Sequence, residues 1–193
     1  ILGTQLFNLI ESDEIVNVEY VNEFEFITFS VGVTAKGILK GFARAKANDR
    51  LKVNTDTLST LLMFTDKGNV YKIPAFLISN VIKEEIAIEN IIDGYSKKEK
   101  IIDVYSIKTF NEKDMVYFFS KKGMIKKTSL KEYDGNYSSC QAYKFKYEND
   151  ELISVCIEAN DGEIVIISKK GMAIRFLSES VNAMGRVASG VTG

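Results

Sequence analysis

Residues 115–131, MVYFFSKKGMIKKTSLK, spell out a β-hairpin in full. Residues 115–119 are an apolar run rich in strand formers. Ser120-Lys121-Lys122-Gly123 is a turn whose glycine can take φ > 0, and residues 124–128 resume an extended strand. The same pattern recurs three more times: 26–34 leads into Lys36-Gly37 and 38–40, 61–65 into Lys67-Gly68 and 69–73, and 164–168 into Lys170-Gly171 and 172–176. Each copy places a basic residue three or four positions after its glycine: Lys40, Lys72, Lys126 with Lys127, and Arg175.

An acidic start followed by an aliphatic strand precedes every hairpin. Asp13-Glu14-Ile15-Val16-Asn17-Val18 and Asp150-Glu151-Leu152-Ile153-Ser154-Val155 are nearly the same words, Glu99-Lys100-Ile101-Ile102-Asp103-Val104 is a third, and Asp49-Arg50-Leu51-Lys52-Val53 a worn fourth. The distance from start to turn glycine is nearly constant (13 to 37, 49 to 68, 99 to 123, 150 to 171), whereas the connectors between units vary widely, as in repeats that pack through a constant core. The units are therefore 13–48, 49–96, 97–146 and 147–193. Residues 1–12 read as the tail of a preceding unit, because GTQLFNLI sits where QAYKFK sits before Asp150.

Helical periodicity is weak and short aliphatic-aromatic runs dominate, which predicts an all-β chain. About four repeated four-stranded blades around an axis would manage the sheet edges. A β-sandwich is the runner-up, but it does not explain the recurring Lys-Gly hairpin with its fixed lead-in. Within this frame Gly32 predicts a bulge or a close approach, Pro74 the end or edge of a strand, and residues 79–89 a short helical turn.

With 193 residues, 46% hydrophobic and 26% charged, the chain is ordinary for a soluble globular protein, and no apolar run reaches a membrane span of roughly 18 residues. Cys140 and Cys156 have no metal-ligand spacing and no histidine exists to complete one, so two reduced, partly buried thiols are expected. The net charge of −1 conceals segregation: residues 1–35 carry no Lys or Arg, residues 147–168 carry only acids, and residues 115–131 hold five lysines and no acid. Arranged around an axis, the basic turns would fall on one rim. No histidine, phosphate loop or carboxylate constellation for catalysis is present, and the acidic pairs read as strand-start chemistry.

The strand–[TS]-x-K-G–strand–[KR] repeat, the NDELISV start and GMAIRFLSESVNAMGRVASGVTG resemble the C-terminal domain of the A subunit of bacterial type IIA topoisomerases over essentially the whole chain. The resemblance implies a β-pinwheel, whose blades exchange strands and whose basic edge carries DNA, truncated here at both ends. It implies a non-catalytic, cytoplasmic, monomeric DNA-binding and DNA-bending segment with no cofactor of its own. Its partners would be double-stranded DNA, the ATPase B subunit, and the rest of the A subunit, with ATP and Mg used in the parent enzyme. DNA gyrase and topoisomerase IV share the fold. No box like Gln-Arg-Arg-Gly-Gly-Lys-Gly, which marks gyrase, occurs, and 49–74 looks more like topoisomerase IV, which is favoured.

The duplex-contacting residues expected from the repeat are Lys36, Lys40, Arg44, Lys46, Lys67, Lys72, Lys121, Lys122, Lys126, Lys127, Lys169, Lys170, Arg175 and Arg186. Charge reversal of Lys126 and Lys127 is expected to leave the apolar strands untouched. The aromatics beside these positions are expected in the core rather than as base-stacking platforms. The competing function is a protein-interaction propeller with a basic rim.

Overall fold

A computed structural model of the chain describes residues 26–42, 51–79, 84–92, 94–159 and 161–193. Four hairpins dominate it: β1 (Thr28–Val33) with β2 (Ile38–Phe42), β4 (Thr60–Thr65) with β5 (Asn69–Pro74), β8 (Asp114–Ser120) with β9 (Met124–Ser129), and β12 (Glu163–Ile167) with β13 (Ala173–Leu177).

The four turns are built identically. Gly37, Gly68, Gly123 and Gly171 have φ of 78°, 81°, 78° and 81°, the left-handed region the Lys-Gly pattern requires. In each, the glycine N–H donates to the carbonyl of the Ser or Thr three residues earlier, at 2.9–3.1 Å. The hydroxyl of that same Thr34, Thr65, Ser120 or Ser168 accepts from the N–H after the glycine, at 3.0–3.3 Å. The recurring Ser or Thr is therefore a turn-closing group.

Three hairpins grow into four-stranded antiparallel sheets by exchange. In the first, β3 (Lys52–Asp56) pairs with β1 and β6 (Glu85–Ala87) with β2. In the second, β7 (Ile101–Ile107) and β10 (Ser139–Gln141) flank β4 and β5; in the third, β11 (Leu152–Ala159) and β14 (Val191–Thr192) flank β8 and β9. Each sheet takes its hairpin from one repeat and both flanking strands from the next. β7 and β11 shift register one residue after they start, at equivalent places, between partners Phe64/Thr65 and between Leu152/Ser154.

Exchange buries both faces of the middle hairpins, which is why their strands read as continuous apolar runs. On β4, Leu61 and Met63 join a core with Phe29, Leu39 and Tyr71, while Leu62 and Phe64 join a second with Val116, Phe118 and Tyr133. Phe64 meets Phe118 edge-on at 5.6 Å. Of the aromatics expected inside, Phe29, Phe64 and Phe118 are buried, Phe119 and Phe176 are half-buried, and Phe26 is exposed.

Gly32 gives no bulge, since its register runs unbroken in both directions; an added Cβ would meet the Phe42 ring at 3.1 Å, so the close approach is the part that holds. Pro74 ends β5, as read. Among the described residues of the 79–89 connector the chain is extended at β6 and helical turns lie at its borders, α1 (Phe76–Ser79) and Ile88–Asn90; residues 80–83 lie outside the described residues.

The turn glycines differ in what surrounds them. A Cβ at Gly68 would lie 2.7 Å from the Tyr143 carbonyl oxygen, while at Gly123 nothing lies within 4 Å. Gly123→Ala should cost only the left-handed penalty of about 1–2 kcal/mol, and Gly68→Ala about 1–3 kcal/mol more for overpacking against backbone. Urea midpoints of the two variants check this; equal losses would contradict the packing argument.

Candidate nucleic-acid interface

The strand starts stitch the turns into a series. Ile101 N–H donates to the Ala35 carbonyl in the first turn at 3.0 Å, and Asp66 N–H in the second donates to the Lys100 carbonyl at 2.9 Å, so the start of β7 touches both. The start of β11 does the same one repeat on: Leu152 N–H donates to the Asp66 carbonyl at 3.0 Å and Lys121 N–H to the Glu151 carbonyl at 2.8 Å. The acids that open these strands act here. The Asp150 carboxylate accepts from Ser120 Oγ at 2.6 Å and from the N–H groups of Glu151 and Lys122 at 2.9 and 3.0 Å, and Glu99 accepts from Asn69 Nδ2 at 2.9 Å. Strand-start chemistry is thus what Asp150 and Glu99 do, and with the backbone bonds it holds three turns at one end of their sheets; Asp13-Glu14 lies outside the described residues.

That end is where exposed lysines gather. Lys36, Lys67, Lys121 and Lys122 project from the turns, and Lys97, Lys98, Lys100, Lys144 and Lys146 are exposed on the segments leading into β7 and β11. Lys122 and Lys146 both lie 5.7 Å from the Tyr147 ring centroid. The connector lysines were not singled out by the repeat. The available signal was the Lys-Lys-Glu-Lys run immediately before a strand start that must abut a turn.

The outgoing strands behave otherwise, and here the rim assignment needs correction. Lys126 and Lys127 are buried, at 0% and 3% exposure. Lys126 Nζ donates to the Ala142 and Arg186 carbonyls at 2.5 Å each, over the Phe118 ring at 4.6 Å, and Lys127 Nζ donates to the Ser178 carbonyl at 2.9 Å. Burial pushes Lys126 down to about 7. Lys72 is half-buried with its ammonium on the Tyr133 and Gly135 carbonyls, both at 2.7 Å. All three lysines bind backbone of the following repeat, Lys126 also the Ala142 carbonyl of its own, and are not free for phosphate.

Among the remaining expected residues, Lys40 pairs with Glu85 at 3.3 Å and the exposed Arg175 pairs with Glu163. Arg186 is half-buried, its guanidinium 4.9 Å from the Tyr137 ring centroid. Lys169 and Lys170 are exposed in the fourth turn. Arg44 and Lys46 lie outside the described residues. Cys140 and Cys156 are half-buried free thiols; burial raises both, Cys156 to about 11, which keeps them protonated and unreactive near neutral pH.

Hairpins that borrow both flanking strands from the next repeat define a β-pinwheel. A family profile described as "DNA gyrase C-terminal domain, beta-propeller" matches residues 59–81, 114–135 and 162–193, which contain the second, third and fourth hairpins. The DNA gyrase A protein of Clostridium acetobutylicum is 37% identical over 141 residues, 72% of this chain and 17% of that protein. That of Helicobacter pylori strain J99 is 34% identical over 143 residues, again 72% and 17%. The solved C-terminal domain of a DNA topoisomerase IV superposes with a TM-score of 0.72 at 26% identity, covering 89% of this chain and 58% of that one. A DNA gyrase A C-terminal domain shares the fold, with a TM-score of 0.66 at 22% identity over 86% and 60%. The chain belongs to the C-terminal β-pinwheel domains of the gyrase A and topoisomerase IV family of bacterial type IIA topoisomerases.

Proposed function

We propose that this chain holds duplex DNA, without reading its sequence, against the end of the sheets where the turns are stitched together, and that it bends the duplex for strand passage by the rest of its parent enzyme. The carrying observation is that three Ser/Thr-x-Lys-Gly turns are fixed in series with their lysines outward. Ammonium groups on rigid turns suit phosphate, which positions a duplex without specifying bases. The domain itself is non-catalytic in this reading. Cleavage, and passage dependent on ATP and Mg, come from an ATPase B subunit together with the remainder of the A subunit, in the bacterial cytoplasm.

The test is duplex binding by the 193-residue chain at several salt concentrations. Log K should fall linearly with log salt by about 0.9 for each phosphate engaged, equally for unrelated sequences. The acids nearby, within a Debye length of about 8–10 Å, should keep affinity modest. No binding, or binding indifferent to salt, would favour the interaction propeller.

For the subfamily, the likeness of residues 49–74 supports topoisomerase IV and the relatives named above support gyrase. Activity of the parent enzyme decides. ATP-dependent negative supercoiling assigns gyrase, and relaxation with decatenation but no such supercoiling assigns topoisomerase IV.

A further inference from the structure

Glu151 sets a carboxylate among the lysines of an otherwise basic surface. It is partly exposed and bonded to Lys121 Nζ at 2.8 Å. That bond holds it below the usual carboxylate range, with weaker help from Lys67 and Lys100. Backbone bonds set the neighbouring lysines alongside: Asp66 N–H donates to the Lys100 carbonyl and Leu152 N–H to the Asp66 carbonyl, and Lys67 lies 3.8 Å from the Asp66 carboxylate. Lys100 also continues toward the first turn: with Lys36 and Lys98 it lines a shallow groove of about 350 Å³, beside Lys97, which is paired with Glu89 at 2.7 Å. Lys36, Lys98 and Lys100 make no ion pair among the described residues.

We infer that one continuous phosphate track runs over Lys36, Lys98, Lys100, Lys67 and Lys121, and that Glu151 occupies a phosphate position on it in the free protein. Duplex binding then displaces a carboxylate. The inference rests on the duplex reading and deepens it: it adds connector lysines that the repeat does not mark and makes one acid of the strand start a built-in competitor. The chemistry is simple. A carboxylate oxygen and a phosphate oxygen make the same charge-assisted bond to an ammonium, and two like charges side by side on Lys121 repel each other, so a phosphate that takes the Glu151 position drives the carboxylate off. The bonds that Asp150 and the Glu151 main chain make to the turn do not involve the Glu151 side chain, so the carboxylate can leave without opening the hairpin.

Two variants test it. Glu151→Gln keeps the side chain's size and frees Lys121 of its competitor; duplex affinity should rise several-fold, while its fall between about 50 and 200 mM salt should stay the same, because the phosphate on Lys121 is engaged in both proteins. Lys98→Gln with Lys100→Gln should make that fall about 12-fold smaller, two contacts fewer. Circular dichroism and urea midpoints verify the fold. A Glu151→Gln chain with unchanged or weaker binding would make the carboxylate only a brace for the turn and overturn the inference. So would an unchanged salt slope in the double variant. In both cases the duplex reading stands, provided the unaltered chain binds in a salt-dependent way. If the unaltered chain does not, the duplex reading and the track fall together.

Discussion

Lys126→Met is expected to destabilise the folded chain by about 2–4 kcal/mol, although the repeat marks this lysine as a surface contact. Its ammonium is fully buried and serves two carbonyls from distant segments, Ala142 on the connector after its own hairpin and Arg186 on the arm after the next. Methionine fills the space but leaves both acceptors unpaired, at about 1–3 kcal/mol each, and gives up the contact with the Phe118 face. Relief from burying a charge offsets part of this. The titration of Lys126 sets the pH dependence. Burial holds it down to about 7, against 10.5 in the ordinary state, so between those values the unfolded chain binds more protons than the folded one. Its contribution is therefore complete above pH 10.5 and is lost as pH falls toward 7, with a slope of up to about 1.4 kcal/mol per pH unit. Urea unfolding of both proteins from about pH 7 to about pH 9.5, inside that window, should show the gap widening with pH. A constant gap would mean that the buried amine titrates as it does in water.

Glu in place of Lys126 would set a carboxylate against two carbonyl oxygens in the core, so reversing Lys126 and Lys127 would unfold the sheet before it reported on DNA. The sequence held the warning. Adjacent residues on a strand point to opposite faces, so Lys126 and Lys127 could not both face one rim, and the apolar runs of β4 and β8 already required sheets covered on both sides.

What could be read from the chain was local. A Ser or Thr, a Lys and a Gly at fixed spacing dictate a turn through bonds within five residues, and all four turns follow. What could not be read was which strand completes each sheet. The short strands β6, β10 and β14 carry no common pattern, and their pairing is decided by carbonyls and ammonium groups of neighbouring repeats that meet only after folding. The misplaced site residues have the same cause. A lysine on an outgoing strand looks solvated until the following repeat closes over it. The connector lysine Lys100 looks like linker charge until hydrogen bonds at the start of β7 fix it between two turns, with Lys98 two residues before it.

Reversing the turn charges should give the largest effect on binding. With Lys36, Lys67, Lys121 and Lys122 all changed to Glu, four contacts are lost, the salt slope should shrink by about 3.6, and affinity at about 0.1 M salt should fall on the order of 10³-fold. The fold should survive, because these side chains are exposed and each turn is closed by its glycine and by a Ser or Thr hydroxyl. Placement can be separated from bulk charge by a matched pair. Lys113 precedes β8 and Lys131 follows β9, both exposed at the end of that hairpin remote from Gly123. Changing those two to Glu alters net charge as much as changing Lys121 and Lys122. If only the turn pair lowers the salt slope, phosphate is met at the stitched turns. If both pairs weaken binding alike, attraction is spread over the whole surface and the turns have no special part, since the two variants change net charge equally and each removes one surface ion pair, Lys131–Asp134 or Lys121–Glu151.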